Sequence, residues 1–367
     1  MRVLNLSLDS SILDKNSVSA KRILEYGELV KKYFVIVPSK ENKNLDLSDK
    51  VTVYGSGGNN RVKQLFNIYK KSKKIVKQKK CNVITAQDPF EVGLIGLSLA
   101  KKFKIGLNIQ EHGDFFSQKY WRKERLLHFF RYFLGIFIIK RADSIRAVSQ
   151  RIKKYLIENL KIKADKIVVV PVYTEILKLT KPQKEKNDKF IFLNLGRFVK
   201  QKNLPLLLNA FARVAKRHRQ AKLLLIGRGS EKKLLKNTRA KLRIESQVEF
   251  LDWMDNIYDY FLRADAYVLS SNYEGWGRVI IEAAIARLPI IMTDVGCAGE
   301  AAVNEESALV SPVGSIDKLT QNMKRAMENQ VLREKLAQNA FIALNKLPDK
   351  KKTLELYKKS WEIALKK

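Results

Sequence analysis

Glu274 and Glu282 stand eight positions apart within residues 270–294, SSNYEGWGRVIIEAAIARLPIIMTD, with Gly275 and Gly277 between them. An apolar run over 266–271 leads into Tyr273-Glu274-Gly275-Trp276-Gly277. A short apolar stretch, Pro289 and a second apolar run follow. That order reads as a strand, a Gly-rich turn, a helix and a strand. A helix opening at such a turn directs unpaired N–H groups and a positive dipole end outward, which suits an anionic ligand such as a phosphate. A carboxylate accepts hydrogen bonds from hydroxyls, so the two acids suit whatever polyol carries that phosphate.

Two cations lie at a comparable place earlier in the chain. Gly196-Arg197 ends the apolar run 190–195, and Lys202 follows five residues later, just before a helical pattern that begins near Leu204. In an open parallel sheet, ligands bind beyond the carboxyl ends of the strands. There an Arg fork and a Lys point charge together neutralise a diphosphate, including the charge that develops as it leaves. The plainer alternative is a pair of solvated surface cations. Gly227-Arg228-Gly229 ends the next strand with a turn that brings backbone close to a ligand, or is simply a strand-to-helix turn. Residues 248–253, VEFLDW, read as a strand whose polar end holds Asp252 and Trp253, or as an ordinary core strand.

Those motifs need a scaffold, and the rest of the chain supplies one. Apolar strand-like runs at 3–8, 33–37, 51–54, 82–86, 105–109, 144–148 and 168–170 alternate with helical patterns at 18–32, 61–79, 91–102 and about 119–140. Residues 176–189, ILKLTKPQKEKNDK, are polar and charged, as an exposed connection between domains would be. A second series of strands begins at 190 and continues at 222–226, 248–251, 266–269, 290–293 and 308–310; three helical stretches follow from residue 316. The predicted organisation is α/β: a Rossmann-like domain over 1–175, a linker over 176–189, a second Rossmann-like domain over 190–345, and a terminal helix within 346–367.

The 367 residues carry 71 Lys and Arg against 37 Asp and Glu, a net +34 with the larger share in the first half. Such a balance favours nucleic acid, an anionic membrane surface or phosphorylated substrates, and alone does not choose among them. Surface lysine kept for solubility is the plainer reading. Cys81 and Cys297 lack metal-ligand spacing, which fits a reducing cytoplasm. No run approaches the roughly 18 apolar residues needed to span a bilayer, and the first residues lack the pattern of a secretory signal.

Taken in order and spacing, LNLGRFVKQKN, LLLIGRGSE, VEFLDW, RADAYVLSSNYEGWGRVIIEA, PIIMTDVG and Glu300 closely resemble the donor domain of GT-B glycosyltransferases of family GT4. The resemblance runs from about residue 190 to 340. It implies two Rossmann-like domains facing across a cleft, with the C-terminal helix packing back on the first. It also implies retaining transfer of a sugar from a nucleotide-sugar, with no metal and no cofactor. By the same resemblance Glu274 contacts hydroxyls of the donor sugar and Glu282 the ribose. Arg197 and Lys202 clamp the diphosphate, and the backbone around Gly277, Arg278 and Val279 adds N–H donors. Gly196, Gly227, Arg228, Asp252, Trp253, Gly275 and Trp276 complete the implied donor site.

In the first half, IQEHGD (109–114) follows a strand, and His112 resembles the family's histidine near the reacting sugar. A histidine there can bond the sugar or the acceptor without moving a proton. ADSIRAVS (142–149) resembles the family's last strand before the linker. Three departures stand out: Leu8-Asp9-Ser10-Ser11 replaces a Gly-rich loop, Arg287 stands where a glycine usually precedes the Pro-containing strand, and Val172-Tyr173 replaces an Asn-Gly. The second predicts an altered turn behind the site.

Residues 119–141 place Trp121, Phe129, Phe130 and Phe133 among Arg122, Lys123 and Arg125 at helical spacing. The pattern suits a helix lying in the headgroup layer of an anionic leaflet, or a core helix with a basic outer side. The first option favours a glycan or lipid-linked acceptor at the inner membrane face, with the protein cytoplasmic and peripherally attached. A nucleotide-sugar epimerase of the same architecture is an alternative. A basic nucleic-acid-binding protein is another, although no stacking-aromatic platform accompanies the charge, so no specific nucleic acid is expected.

Overall fold

The computed structural model describes residues 1–177, 179, 189–252 and 257–365. Most of the expected linker and Trp253 therefore lie outside the described residues.

The first strands and helices are β1 (Arg2–Leu6), α1 (Val18–Glu28), β2 (Lys32–Val37), β3 (Asn44–Asp46), β4 (Val51–Gly55), α2 (Arg61–Lys79) and β5 (Val83–Ala86). They continue with α3 (Glu91–Phe103), β6 (Gly106–Glu111), α4 (Lys119–Glu124), α5 (Leu126–Ile139), β7 (Ser144–Ala147), α6 (Gln150–Glu158) and β8 (Ile167–Val169). These eight strands form one sheet in the order β3-β4-β2-β1-β5-β6-β7-β8. All neighbours are parallel except β3, which pairs antiparallel with β4. Buried strands such as KYFVIV read as near-continuous apolar runs because helices cover both faces of a parallel sheet. β3 is the exception: it is short, polar and half-exposed, so no hydrophobic pattern announces it.

The second series comprises β9 (Phe190–Leu195), α7 (Leu204–Ala215), β10 (Ala221–Ile226), α8 (Lys232–Lys241), β11 (Val248–Leu251), α9 (Tyr258–Arg263) and β12 (Ala266–Leu269). It ends with α10 (Arg278–Ile285), β13 (Ile290–Thr293), β14 (Leu309–Ser311), α11 (Ile316–Glu328), α12 (Gln330–Ala343) and α13 (Lys350–Ala364). Six strands form a wholly parallel sheet, β11-β10-β9-β12-β13-β14. Its core is the packing of α7, with Leu207, Phe211 and Val214, against Phe192, Leu223 and Val268.

The chain divides into two compact units. One holds Met1–His112, Arg125–Pro171 and Asp349–Lys367; the other holds Gly113–Glu124 and Val172–Pro348. The terminal helix α13 thus returns to the first unit, as the family resemblance implied. Tyr357 and Trp361 are buried there with Tyr33, the Tyr33 and Trp361 rings 5.5 Å apart. A Cβ on Gly106 would stand 1.9 Å from the carbonyl of Ala364, so β6 needs glycine where the helix crosses it.

One local expectation is corrected. The single helix predicted over about 119–140 is two, because Arg125 has extended backbone between α4 and α5. α4 belongs to the second unit, where Trp121 is buried against Phe115 and Tyr273 Oη donates to Glu124 Oε2 at 2.6 Å. α5 belongs to the first, held by the Arg131–Glu91 ion pair at 2.6 Å. At the turn before the Pro-containing strand, Arg287 takes left-handed geometry, at φ +53. Its guanidinium lies 3.8 Å from the Phe341 ring centroid and donates to Gln338, contacts that offset the strain of a side chain there.

Candidate active site

In the second unit the loops that follow β9 and β12 lie side by side. Ser270 Oγ donates to the carbonyl of Lys202 at 2.9 Å, the amide of Asn272 to that of Gln201 at 2.8 Å, and Asn203 Nδ2 to Asn272 Oδ1 at 2.8 Å. The β9 loop makes a 3-10 turn over Lys200–Lys202 and reaches α7 through Asn203, which is left-handed at φ 44. These bonds fix the backbone that carries the site's side chains.

Those side chains converge on Glu274. Its Oε1 lies 2.5 Å from Lys202 Nζ and accepts from Ser271 Oγ at 2.7 Å, while Gln201 Nε2 approaches Oε2 at 3.4 Å. Gln201 also donates to the carbonyl of Tyr273 at 3.0 Å and accepts from Arg197 at 3.5 Å. Lys202 and Glu274 are mostly buried, with side chains 14% and 9% exposed, whereas Arg197 is exposed. One cation, an amide and a hydroxyl thus stand around one carboxylate at the carboxyl ends of β9 and β12, with a second cation, Arg197, on the amide. Charges so placed hold an anion and hydroxyls in one locus.

Glu282 sits lower, one turn into α10, 5% exposed. Burial raises its carboxyl pKa, opposed by the Arg278 guanidinium 2.9 Å away. Gly277 precedes α10 at φ +86, a geometry that favours glycine, and no side chain caps the helix. Gly277 has no side chain to accept from the first-turn amides of Arg278 and Val279. Trp276 is buried, and its indole Nε1 has no hydrogen-bond partner among the described residues. Gly275 is buried too. The Tyr273 phenol titrates well above its ordinary range, through burial first and then its bond to the Glu124 carboxylate.

The glycines after β10 pack against the β9 loop. A Cβ on Gly227, at φ +149, would stand 1.9 Å from the carbonyl of Gly196, and one on Gly229 would stand 2.3 Å from that of Phe198. The close approach they permit is to the neighbouring β9 loop, sealed by Phe198 N–H donating to Arg228 O at 2.9 Å. The Arg228 side chain is exposed. Asp252 is exposed too and paired with Lys232 at 2.7 Å. These two residues are not drawn into the cluster around Glu274.

In the first unit His112 follows β6. Its Nε2 lies 2.9 Å from Gln110 Oε1, and its Nδ1 lies 3.2 Å from Nη1 of Arg146 on β7. Burial lowers the imidazole pKa well below its usual value, and the charges of Arg146 and Arg22 push the same way. Where the family's Gly-rich loop would be, Asp9 caps a 3-10 turn over Ser10–Leu13. Its carboxylate accepts from Ser11 and from Ser19 Oγ at 2.5 Å. Among the described residues no three His, Cys, Asp or Glu side chains gather as a metal site.

Gln201, Ser271 and Arg146 had no signal in the sequence. Each is an ordinary polar residue beside a recognisable one, and only the loop and strand pairings bring them to the site.

Two parallel-sheet Rossmann-like units, one with a carboxylate and cations gathered at its strand ends, define the GT-B class of fold. Solved structures agree: the chain superposes on sucrose-phosphate synthase of Thermosynechococcus elongatus with a TM-score of 0.80, at 18% identity over 97% of each chain. Anabaena HepE in complex with UDP and glucose gives a TM-score of 0.70, at 17% identity over 99% of this chain and 98% of that one. The family Glycosyl transferases group 1 matches residues 176–342, and Glycosyltransferase Family 4 matches residues 32–172. The chain belongs to the GT4-type glycosyltransferases. It is similar to an uncharacterized glycosyltransferase of Methanocaldococcus jannaschii, 29% identical over 67% of this chain and 64% of the relative. It is also similar to an N-acetylgalactosamine-N,N'-diacetylbacillosaminyl-diphospho-undecaprenol 4-alpha-N-acetylgalactosaminyltransferase of Campylobacter jejuni, 31% identical over 40% of each.

Proposed function

We propose that the chain transfers a sugar, with retention, from a nucleotide-sugar to a glycan or lipid-linked acceptor at the inner face of the membrane, without a metal. The observation that carries this reading is the convergence of Gln201, Lys202 and Ser271 on Glu274, with Arg197 reaching Gln201 beside them. On donor binding Lys202 exchanges Glu274 for the diphosphate, and Glu274 turns its lone pairs to sugar hydroxyls. Two fixed cations beside a leaving diphosphate supply the positive charge that a divalent ion supplies elsewhere. Glu282 and the uncapped first turn of α10 are assigned to ribose and phosphate. No carboxylate is assigned as nucleophile: the acceptor oxygen attacks the anomeric carbon on the face from which the diphosphate leaves. The bond to the diphosphate oxygen breaks, and that oxygen takes the acceptor's proton.

The UDP-bound HepE structures and the undecaprenol-linked substrate in the Campylobacter relative's name support the donor and acceptor classes. Support for a membrane surface comes from α5. Gly135, Ile138 and Ile139 face the core, yet Phe129, Phe130, Phe133 and Phe137 are exposed on the same helix, with Arg125, Lys140 and Arg141 exposed at its ends. Apolar groups rimmed by cations match the boundary of an anionic leaflet. Trp121, Arg122 and Lys123 lie on α4, in the other unit, and Trp121 is buried. No described helix is long and apolar enough to cross a membrane.

The test is product analysis with a panel of nucleotide-sugars and polyprenyl-diphosphate-linked acceptors in the presence of a chelator. The expected result is a glycosylated acceptor whose new linkage keeps the donor's anomeric configuration. Conversion of donor in the absence of acceptor would assign an epimerase instead. Inverted linkage, or activity lost to the chelator, would overturn retention or metal independence respectively.

A further inference from the structure

A buried polar chain in the first unit runs from the terminal helix to His112, and its two ends cannot both be reversed. At one end Arg146 is a pure donor; at the other the carbonyl of Ser360 in α13 is a pure acceptor. Between them Thr85, Asn108, Gln110 and Ser144 are all at least nine-tenths buried, as is Arg146 itself.

The ends dictate every proton in the middle. Arg146 Nη1 donates to Gln110 at 3.3 Å, so the Gln110 atom that meets it is the oxygen. The Gln110 amide therefore donates to Thr85 Oγ1 at 2.8 Å, and the Thr85 hydroxyl donates to Asn108 Oδ1 at 2.8 Å. The Asn108 amide then donates to Ser144 Oγ at 2.8 Å, and Ser144 gives its proton to the Ser360 carbonyl at 2.6 Å. Each donor meets an acceptor, with no step left to choice.

His112 inherits the result. Gln110 Oε1 has only lone pairs to offer Nε2 at 2.9 Å, so Nε2 carries the hydrogen. Arg146 Nη1 lies 3.2 Å from Nδ1 and 3.4 Å from Nε2; with the hydrogen on Nε2 directed at Gln110, Nδ1 is the ring nitrogen left with a lone pair for the guanidinium. Protonating it would set an N–H against a guanidinium that only donates. Arg146 cannot turn away, because Nη2 donates to the carbonyl of Val170 at 3.0 Å and the guanidinium carbon lies 4.3 Å from the Tyr357 ring centroid.

We infer that Arg146 and Gln110 are positioning residues that lock His112 as the neutral imidazole with its hydrogen on Nε2, braced by α13 through Ser360 and Tyr357. The inference rests on the reading of His112 as a site residue, and it adds how that residue is held. Besides Arg146 from β7, Arg22 from α1 acts on His112 and disfavours the imidazolium in the same sense. The burial-driven lowering of the imidazole pKa agrees with this assignment.

The direct test is long-range ¹H–¹⁵N NMR of histidine-labelled wild-type protein, whose three histidines are separated with His128→Gln and His218→Gln variants. The expected spectrum shows His112 with a protonated Nε2 and a pyridine-like Nδ1, unchanged as the pH falls from 8 through the ordinary histidine value of about 6.5. A hydrogen on Nδ1, or an imidazolium forming near that pH, would overturn it. Gln110→Glu supplies a second reading, since a carboxylate in that place favours the imidazolium. His112 should then titrate, and the kcat profile should gain an ionisation that the wild type lacks while the donor KM is unchanged. A Gln110→Glu protein with wild-type histidine signals would contradict the mechanism. The NMR result needs no substrate, so it stands or fails separately from the glycosyl-transfer assignment.

Discussion

Lys202→Ala protein is expected to transfer sugar about a thousand-fold more slowly than wild type at saturating donor, since one well-placed charge on a leaving group is worth a factor of about 10²–10³. Lys202 is the cation within ion-pair distance of Glu274, at 2.5 Å, and it is mostly buried, so solvent neither screens nor replaces it. The backbone turn survives the change, because Ser270 holds the carbonyl of Lys202 and not its side chain. Folding suffers for a separate reason: removing one partner of a largely buried pair leaves Glu274 uncompensated, at a cost of about 3–5 kcal/mol when burial is complete and less here. A Lys202→Ala/Glu274→Gln double variant should recover much of the melting temperature, which assigns the stability loss to the uncompensated carboxylate. Wild-type turnover by the Lys202→Ala protein would contradict the assignment of Lys202 to the leaving diphosphate.

The second large effect concerns α5. Replacing Phe129, Phe130 and Phe133 together by Ser should cut binding to anionic vesicles by about two to three orders of magnitude, since each phenylalanine is worth about 1.5–3 kcal/mol when fully transferred from water and half that transfer for three of them comes to about 2–4.5 kcal/mol. These side chains are 46%, 62% and 56% exposed, so their loss leaves the core intact and the melting temperature near that of wild type. Arg125, Lys140 and Arg141 add about 1 kcal/mol each at an anionic surface, so binding should also weaken with salt. Cosedimentation with vesicles of mixed neutral and anionic lipid reads both outcomes. Wild-type protein that stays in the supernatant, or a triple variant that pellets equally, would sink the membrane assignment.

The fold was legible wherever hydrophobic periodicity set it. Strands such as AYVL are buried on both faces and stand out as unbroken apolar runs, and the helix at 61–79 starts and stops where its pattern does. β3 escaped because it is polar, and the break at Arg125 escaped because no proline or glycine marks it. There the stretch divides according to what each part packs against: Trp121 and Glu124 in one unit, Arg131 and Ile138 in the other. In the site, Glu274 and Lys202 were legible as chemistry and their mutual distance was not. Seventy-two positions separate them, and only the adjacency of β9 and β12 closes the gap. The glycines at 227 and 229 were legible by type as permitting close approach, and the chain's own β9 loop makes such an approach.

The most direct test of the donor site is the melting temperature of the wild-type protein against a panel of nucleotide-sugars and nucleoside diphosphates. A ligand that binds only the folded state, present at 100 times its Kd, adds about 2.7 kcal/mol of stability. The account predicts that one nucleotide-sugar and its nucleoside diphosphate raise the wild-type melting temperature by several degrees, and that Lys202→Ala abolishes most of the shift. Equal shifts in both proteins, or none in the wild type across the panel, would contradict a diphosphate held at Arg197 and Lys202.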